Sequence, residues 1–212
     1  MYELHPSQQL VDLFAEKPYQ GASPMSASFL FVGLDANYHP AIGTSPAFSE
    51  IVQYHDNGVA FWRDAGVHHP FLLSSYKGDG RRYHRTFARI GFRPEHASLV
   101  SFVELLHVPT VGRSQLEVAD LSTEHLRTVN DAMFNGKAHS IFVSAGVARL
   151  MRASGAFPQI GGAPIGNTGP LKTLFADGKR TVYLRLHFSN YGKFEAQLRD
   201  QAKAIGALLP RA

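Results

Sequence analysis

The stretch that most constrains this chain is residues 29–40, Phe-Leu-Phe-Val-Gly-Leu-Asp-Ala-Asn-Tyr-His-Pro. Phe29 to Val32 are four successive aromatic or branched apolar residues, and the run breaks at Gly33. Continuous apolar character, in place of alternation, marks a strand buried on both faces, and such strands belong to parallel sheets covered by helices. Polar groups follow at once: Asp35, Asn37, Tyr38 and His39. In open α/β sheets ligands bind outside the carboxyl ends of the strands. Asp35 is therefore expected at the mouth of a site.

The rest of the chain alternates helices and strands. Residues 7–16 read as a helix with Ser7 as N-cap and Leu10, Leu13 and Phe14 on one face. Pro18 to Pro24 reads as a linker. Residues 39–80 are broken by proline and glycine, with short helices expected around 48–54 and 59–65 and a dense set of aromatic residues. A helix from about 81 to 90 buries Tyr83, Phe87 and Ile90. A second strand is expected over 98–106 with Glu104 near its end. A helix follows over 122–135, then a strand over 139–145, a helix over 147–153 and a Gly/Pro-rich loop over 155–170. Asp177-Gly178, between the apolar runs 171–175 and 180–186, signals a hairpin. A final helix covers about 193–208. Strands separated by helices imply parallel pairing with right-handed crossovers. The expected fold is α/β, a three-layer α-β-α sandwich around a mostly parallel four-stranded sheet with an antiparallel addition.

At 212 residues the chain reads as one domain, 1–212, and 44% hydrophobic with 18% charged residues is a globular composition. No apolar run approaches the ~20 residues that span a bilayer, and Met1 to Leu10 lacks the basic flank and apolar core of a signal peptide. A cytoplasmic location is expected. The absence of cysteine excludes disulfides, Cys-ligated zinc and iron–sulfur clusters. Lys and Arg number 21 against 17 acidic residues, a net +4 that suits a polyanionic partner without demanding one.

Two polar clusters follow apolar strands: Asp35 to His39 after the first, His187 to Tyr191 after the last. If those strands run parallel, both clusters share a rim. A carboxylate and a histidine across a cleft could activate a water and stabilise a developing anion. Asp35 could equally cap a turn, and His187 could be a satisfied strand-end histidine. Lys77-Gly-Asp-Gly-Arg81-Arg82 is a glycine turn before a basic helix start, which can hold a phosphate on backbone N–H groups or present an exposed cationic face. His68-His69 with His55 or His84 lacks the spacing of a metal site, and no metal is expected. Gly161 to Gly166 lacks the preceding strand and following helix of a dinucleotide fingerprint.

The two clusters resemble the paired motifs of the uracil-DNA glycosylase superfamily, and are most similar to its mismatch-specific uracil/thymine branch. The first motif stands here as Gly33-Leu34-Asp35-Ala36 and the second as His187-Phe188-Ser189-Asn190-Tyr191, with Ala36 and Phe188 where the family has proline. Glu104 to Val111 resembles the segment after that family's second strand, although no asparagine follows the strand; Glu104 or Ser101 stands in that region. The resemblance spans about 29–208. It implies a monofunctional glycosylase that hydrolyses the N-glycosidic bond of a deaminated or damaged, uracil-like base flipped out of DNA. Asp35 would orient the attacking water and offset the oxocarbenium charge, and His187 would donate a hydrogen bond to the departing base. Gly33, Leu34, Asn37, Ser189 and Asn190 would contact substrate, with Ser189 on a flanking phosphate. Phe48, or second Phe61, would stack on the base. Tyr191 would be the wedge entering the duplex, and Lys77, Arg81 and Arg82 would contact DNA. The implied partner is DNA, with no cofactor and no membrane, and the chain is read as a monomer. The rival readings are a catalytically silent nucleic-acid-binding protein of the same fold and an α/β hydrolase of a nucleoside-like substrate.

Overall fold

The computed structural model describes residues 1–112 and 115–209. In chain order its elements are β1 (Glu3–Leu4), α1 (Gln8–Glu16), β2 (Tyr19–Gly21), β3 (Phe29–Gly33), β4 (Ala36–Asn37), α2 (Phe48–Asp56), α3 (Gly58–Ala65) and α4 (Arg81–Ala88). There follow β5 (Val100–Glu104), β6 (Pro109–Val111), α5 (Thr123–Phe134), β7 (Ser140–Ser144), α6 (Ala145–Ser154), β8 (Gly166–Thr168), β9 (Leu171–Ala176), β10 (Thr181–Arg185) and α7 (Glu195–Gly206).

The main sheet has the order β2-β5-β3-β7-β10-β9-β8. β3 pairs in parallel with β5 and β7, and β7 in parallel with β10. β2 joins one edge antiparallel, and β9 then β8 extend the other edge antiparallel. A small second sheet, β1-β6-β4, sits where the chain leaves β3 and β5. The fold is thus α/β, with mixed sheets and helices on both sides.

The apolar run that opens the chain's logic has a simple cause. Leu30 and Val32 enter a core with α5 and α6, including Leu126, Val129, Val147 and Met151. Phe29 and Phe31 point the other way, into a core with Trp62 of α3, Phe87 of α4 and Leu198, Ala202 and Ile205 of α7. Both faces are dry, so neither parity can be polar. Phe31 stacks on Phe142 at 4.8 Å and on Phe102 at 5.5 Å across the neighbouring strands. Each such side chain contributes about 1.5–3 kcal/mol through burial. A third cluster, Leu10, Phe14, Tyr38, Ile42, Ile51, Phe71 and Tyr76, fixes the long irregular segment after β3.

Several boundaries differ from expectation. The Pro18–Pro24 stretch contains β2: Tyr19 to Gly21 ladder onto β5, and the backbone pairing, not the local sequence, makes them a strand. β8 lies within the expected 155–170 loop, built from turn-type residues held in register by β9. Ser7 occupies the N-cap position of α1 with extended backbone but makes no side-chain cap hydrogen bond. Beyond the expected strands and their antiparallel addition, the main sheet gains β2 on one edge and β8 on the other, both antiparallel. The hairpin turns at 177–180, where Asp177 Oδ1 accepts the N–H groups of Lys179 and Arg180 and Gly178 takes φ 81°. Among the described residues no helix is long and apolar enough to cross a membrane.

Candidate active site

Parallel pairing brings the carboxyl ends of β3, β5 and β10 to one rim. Gly33 lies in register with Glu104, and β10 ends at Arg185. Above this rim is a cavity of about 600 Å³ whose lining includes Asp35, Asn37, Tyr83, Glu104, His187 and Ser189. That volume falls within the range of about 300–1,000 Å³ usual for small-molecule sites.

Asp35 is set by the first turn out of β3. Its neighbours Ala36 and Asn37 pair with Pro109 and Thr110 of β6, which prevents the chain from coiling away. The Thr110 hydroxyl donates to Asp35 Oδ2 at 2.5 Å. Asn37 Nδ2 in turn donates to Thr110 Oγ1 at 3.1 Å and to the Gly112 carbonyl at 2.6 Å. The threonine proton is thereby committed to the carboxylate, and the carboxylate to one orientation.

Glu104 ends β5 beside it. A Cβ on Gly33 would lie 1.8 Å from Glu104 Oε2, so the glutamate occupies space that only glycine leaves open. Burial, and next the charge of Asp35, push Glu104 up to about 8, against the pull of Arg185. Glu104 therefore keeps its proton at neutral pH.

His187 follows β10. The Ser189 backbone N–H donates to His187 Nδ1 at 3.3 Å, and Ser189 Oγ lies 2.6 Å from the same nitrogen. A neutral ring held this way carries its proton on Nε2. Burial, then the Arg185 guanidinium, push the ring down to about 4, opposed by Asp35. At neutral pH His187 is an uncharged donor. Phe188 is fully buried beneath it and anchors the loop in the α3/α4/α7 core.

The cavity wall opposite is aromatic. Phe71 and Tyr76 stack at 4.1 Å with an interplanar angle of 3°, and His69 stacks on His84 at 3.6 Å and 11°. Burial holds His68 and His69 well below the usual imidazole value and His84 at about 3, so this wall is neutral. Among the described residues no group of three or more His, Asp or Glu side chains is placed to hold a metal ion.

Of the residues singled out from sequence, Gly33, Leu34, Asp35, Asn37, His187 and Ser189 line this one cavity although 152 positions separate Asp35 from His187. Asn190 donates its backbone N–H to the His187 carbonyl and lines neither this cavity nor the one beside it. Arg81, Arg82 and Tyr191 line an adjoining cavity of about 390 Å³ that shares Asp79, Gly80, Tyr83 and Ser189 with the first. Tyr191 is 67% exposed, and the Arg82 guanidinium lies 4.8 Å over its ring. Lys77 is exposed and lines neither cavity. Phe48 is not at the site: it packs against the third core cluster, and Phe61 is buried near Tyr54. Their helical spacing reflects packing, and the rings that line the cavity include Tyr38, Phe71 and Tyr76 of the irregular segment, Tyr54 of α2, Tyr83 of α4 and Phe102 of β5. Ser101 is fully buried within β5, which leaves Glu104 as the polar group at that strand's end. Sequence reasoning placed Tyr83 on the buried face of its helix, whereas it lines the cavity, and gave no role to Thr110 or Arg185. Thr110 offers no local signal. Arg185 offers one, a lone cation closing the apolar strand Thr-Val-Tyr-Leu-Arg.

No protein-family model matches the sequence, and comparison with curated proteins gives no match.

Proposed function

We propose that the protein is a DNA N-glycosylase that hydrolyses the bond between deoxyribose and a deaminated or damaged, uracil-like base turned out of the duplex. The observation that carries this reading is the pairing of Asp35, a carboxylate fixed by Thr110, with His187, a neutral imidazole with its proton on Nε2, in one cavity. Glycosidic cleavage creates a cationic sugar and an anionic base. Asp35 answers the first charge and His187 the second. Water adds to the anomeric carbon as the C–N bond breaks with its electron pair going to the base. Asp35 takes the water's proton, which finally returns to the base nitrogen. Because His187 is uncharged, it donates at neutral pH without first taking up a proton.

Further support comes from the surroundings. The parallel pairs β5-β3-β7-β10, with Asp35 and His187 leaving the rim after β3 and β10, fit the uracil-DNA glycosylase arrangement that the motifs resemble. The aromatic wall suits a planar base, and Arg81, Arg82 and the exposed Tyr191 suit a nucleic-acid backbone and an entering wedge.

The test is base release from a labelled oligonucleotide with a single uracil, single- and double-stranded, followed by alkali. Asp35→Asn should lose about 10²–10⁴-fold in turnover while DNA binding stays within a few-fold. Hypoxanthine and mismatched thymine come next. No release from any of the three, with DNA binding that weakens steeply with salt, would replace the enzyme by a silent nucleic-acid-binding protein.

A further inference from the structure

Arg185 is a buried cation whose only part in the chemistry above is to help keep His187 uncharged. It is 3% exposed and closes β10 directly below the His187 loop. Its guanidinium lies 3.8 Å from the centre of the Phe188 ring. One terminal nitrogen donates to the Leu186 carbonyl at 2.9 Å and the other to the Tyr83 hydroxyl at 3.4 Å. Its Nε has no hydrogen-bond partner, and among the described residues no carboxylate lies within ion-pair distance of it. A buried guanidinium is normally paired with an acid, because its desolvation is otherwise uncompensated. Glu104 is the nearest candidate by charge but retains its proton at neutral pH.

Tyr83 connects this charge to the cavity. It lines the cavity on one side and receives the Arg185 hydrogen bond on its oxygen, so its own O–H is left to donate elsewhere. A hydroxyl that accepts from a cation is a stronger donor in turn. The Tyr83 ring lies 5.4 Å from that of His187, so the two donors serve the same end of the cavity. Asp35 lines the same cavity and is tied to β6 through Thr110.

We propose that Tyr83, His187 and the buried Arg185 form an anion subsite, built for a planar ring that carries or is acquiring negative charge. Tyr83 and His187 touch the ring. Arg185 is a positioning residue that acts through Tyr83 and through its fixed charge. This deepens the glycosylase reading, and the subsite's part in catalysis rests on that reading, since the departing base is such a ring.

The experiment is calorimetric titration of the full chain at neutral pH with barbiturate, a pyrimidine ring that is an anion there, and with uracil, a similar ring that is neutral. The wild type should bind barbiturate at least ~10-fold more tightly, a difference of ~1.4 kcal/mol. Arg185→Met should abolish the preference with little change for uracil, Arg185→Lys should keep most of it, and Tyr83→Phe should reduce it ~3–10-fold. Equal affinity for the two rings in the wild type, no binding of either, or a preference that survives both Arg185→Met and Tyr83→Phe overturns the subsite. If Arg185→Met lacks a cooperative melt, Tyr83→Phe decides alone. The base-release assay separates the two claims. An anion preference without base release keeps the subsite and ends the glycosylase reading. Base release with no anion preference does the reverse.

Discussion

Glu104 offers the most quantitative check on the site's electrostatics. An ordinary glutamate ionises near 4.5, whereas burial and Asp35 hold Glu104 at about 8. Between these values the folded chain keeps a proton that the unfolded chain has released, so stability falls as pH rises and the loss is complete above about 8. The histidines slope the opposite way. His84 at about 3 and His187 at about 4 stay neutral when folded, so their stabilisation is present above the ordinary value of 6.5 and is lost as pH falls below it. From 6.5 to 8 the histidine slope, still fading at the lower end, is common to the wild type and a Glu104 variant, so the difference between the two isolates the Glu104 slope. Over that span 1.36 kcal/mol per unit gives a ceiling of about 2 kcal/mol, and about 1 kcal/mol once water in the open cavity screens part of it. Glu104→Gln keeps the shape and removes the titration. Urea midpoints at four pH values from 6.5 to 8, with the denaturant slope held common, should fall for the wild type relative to those of the variant. Melting temperatures should diverge by about 2–8 °C over the same span. Parallel curves for the two proteins would show that Glu104 does not hold a proton at neutral pH.

Three further outcomes follow from particular contacts. Gly33→Ala sets a methyl 1.8 Å from Glu104 Oε2, so the carboxyl must swing away; the variant should lose about 1–3 kcal/mol in urea unfolding, and with it the alkaline slope. Thr110→Val removes the donor to Asp35 and should lower kcat of base release about 10-fold with KM little changed, measured at steady state. Tyr191→Ala, at an exposed position, should leave the melting temperature unchanged while weakening DNA binding by about 1–3 kcal/mol in a fluorescence titration.

The legible parts of this protein are those written in local chemistry. Phe29 to Val32 announces a strand buried on both faces because each parity needs an apolar partner, and the cores on the two sides supply it. Asp177-Gly178 announces its turn because an Asp side chain accepts two backbone N–H groups there and glycine tolerates the positive φ. The edge strand Tyr19–Gly21 and the strand Gly166–Thr168 were not legible. Nothing in their side chains demands extension; a neighbour's unpaired backbone does.

The same division holds at the site. Asp35 and His187 could be picked from sequence because each is a polar residue released at the end of an apolar strand. Phe48 could not be told from a stacking ring, since a helical aromatic facing a core and one facing a ligand have the same spacing. Tertiary structure alone decided the rest. It set Thr110 against Asp35 across 75 positions and seated the Glu104 carboxyl over the bare backbone of Gly33. It also buried Arg185 behind Tyr83, 102 positions away. A sequence specifies which groups can ionise or donate, because that is a property of the side chain. Whether a carboxyl keeps its proton or a guanidinium lacks a partner depends on the solvent and charges around it, and those are assembled only by the fold.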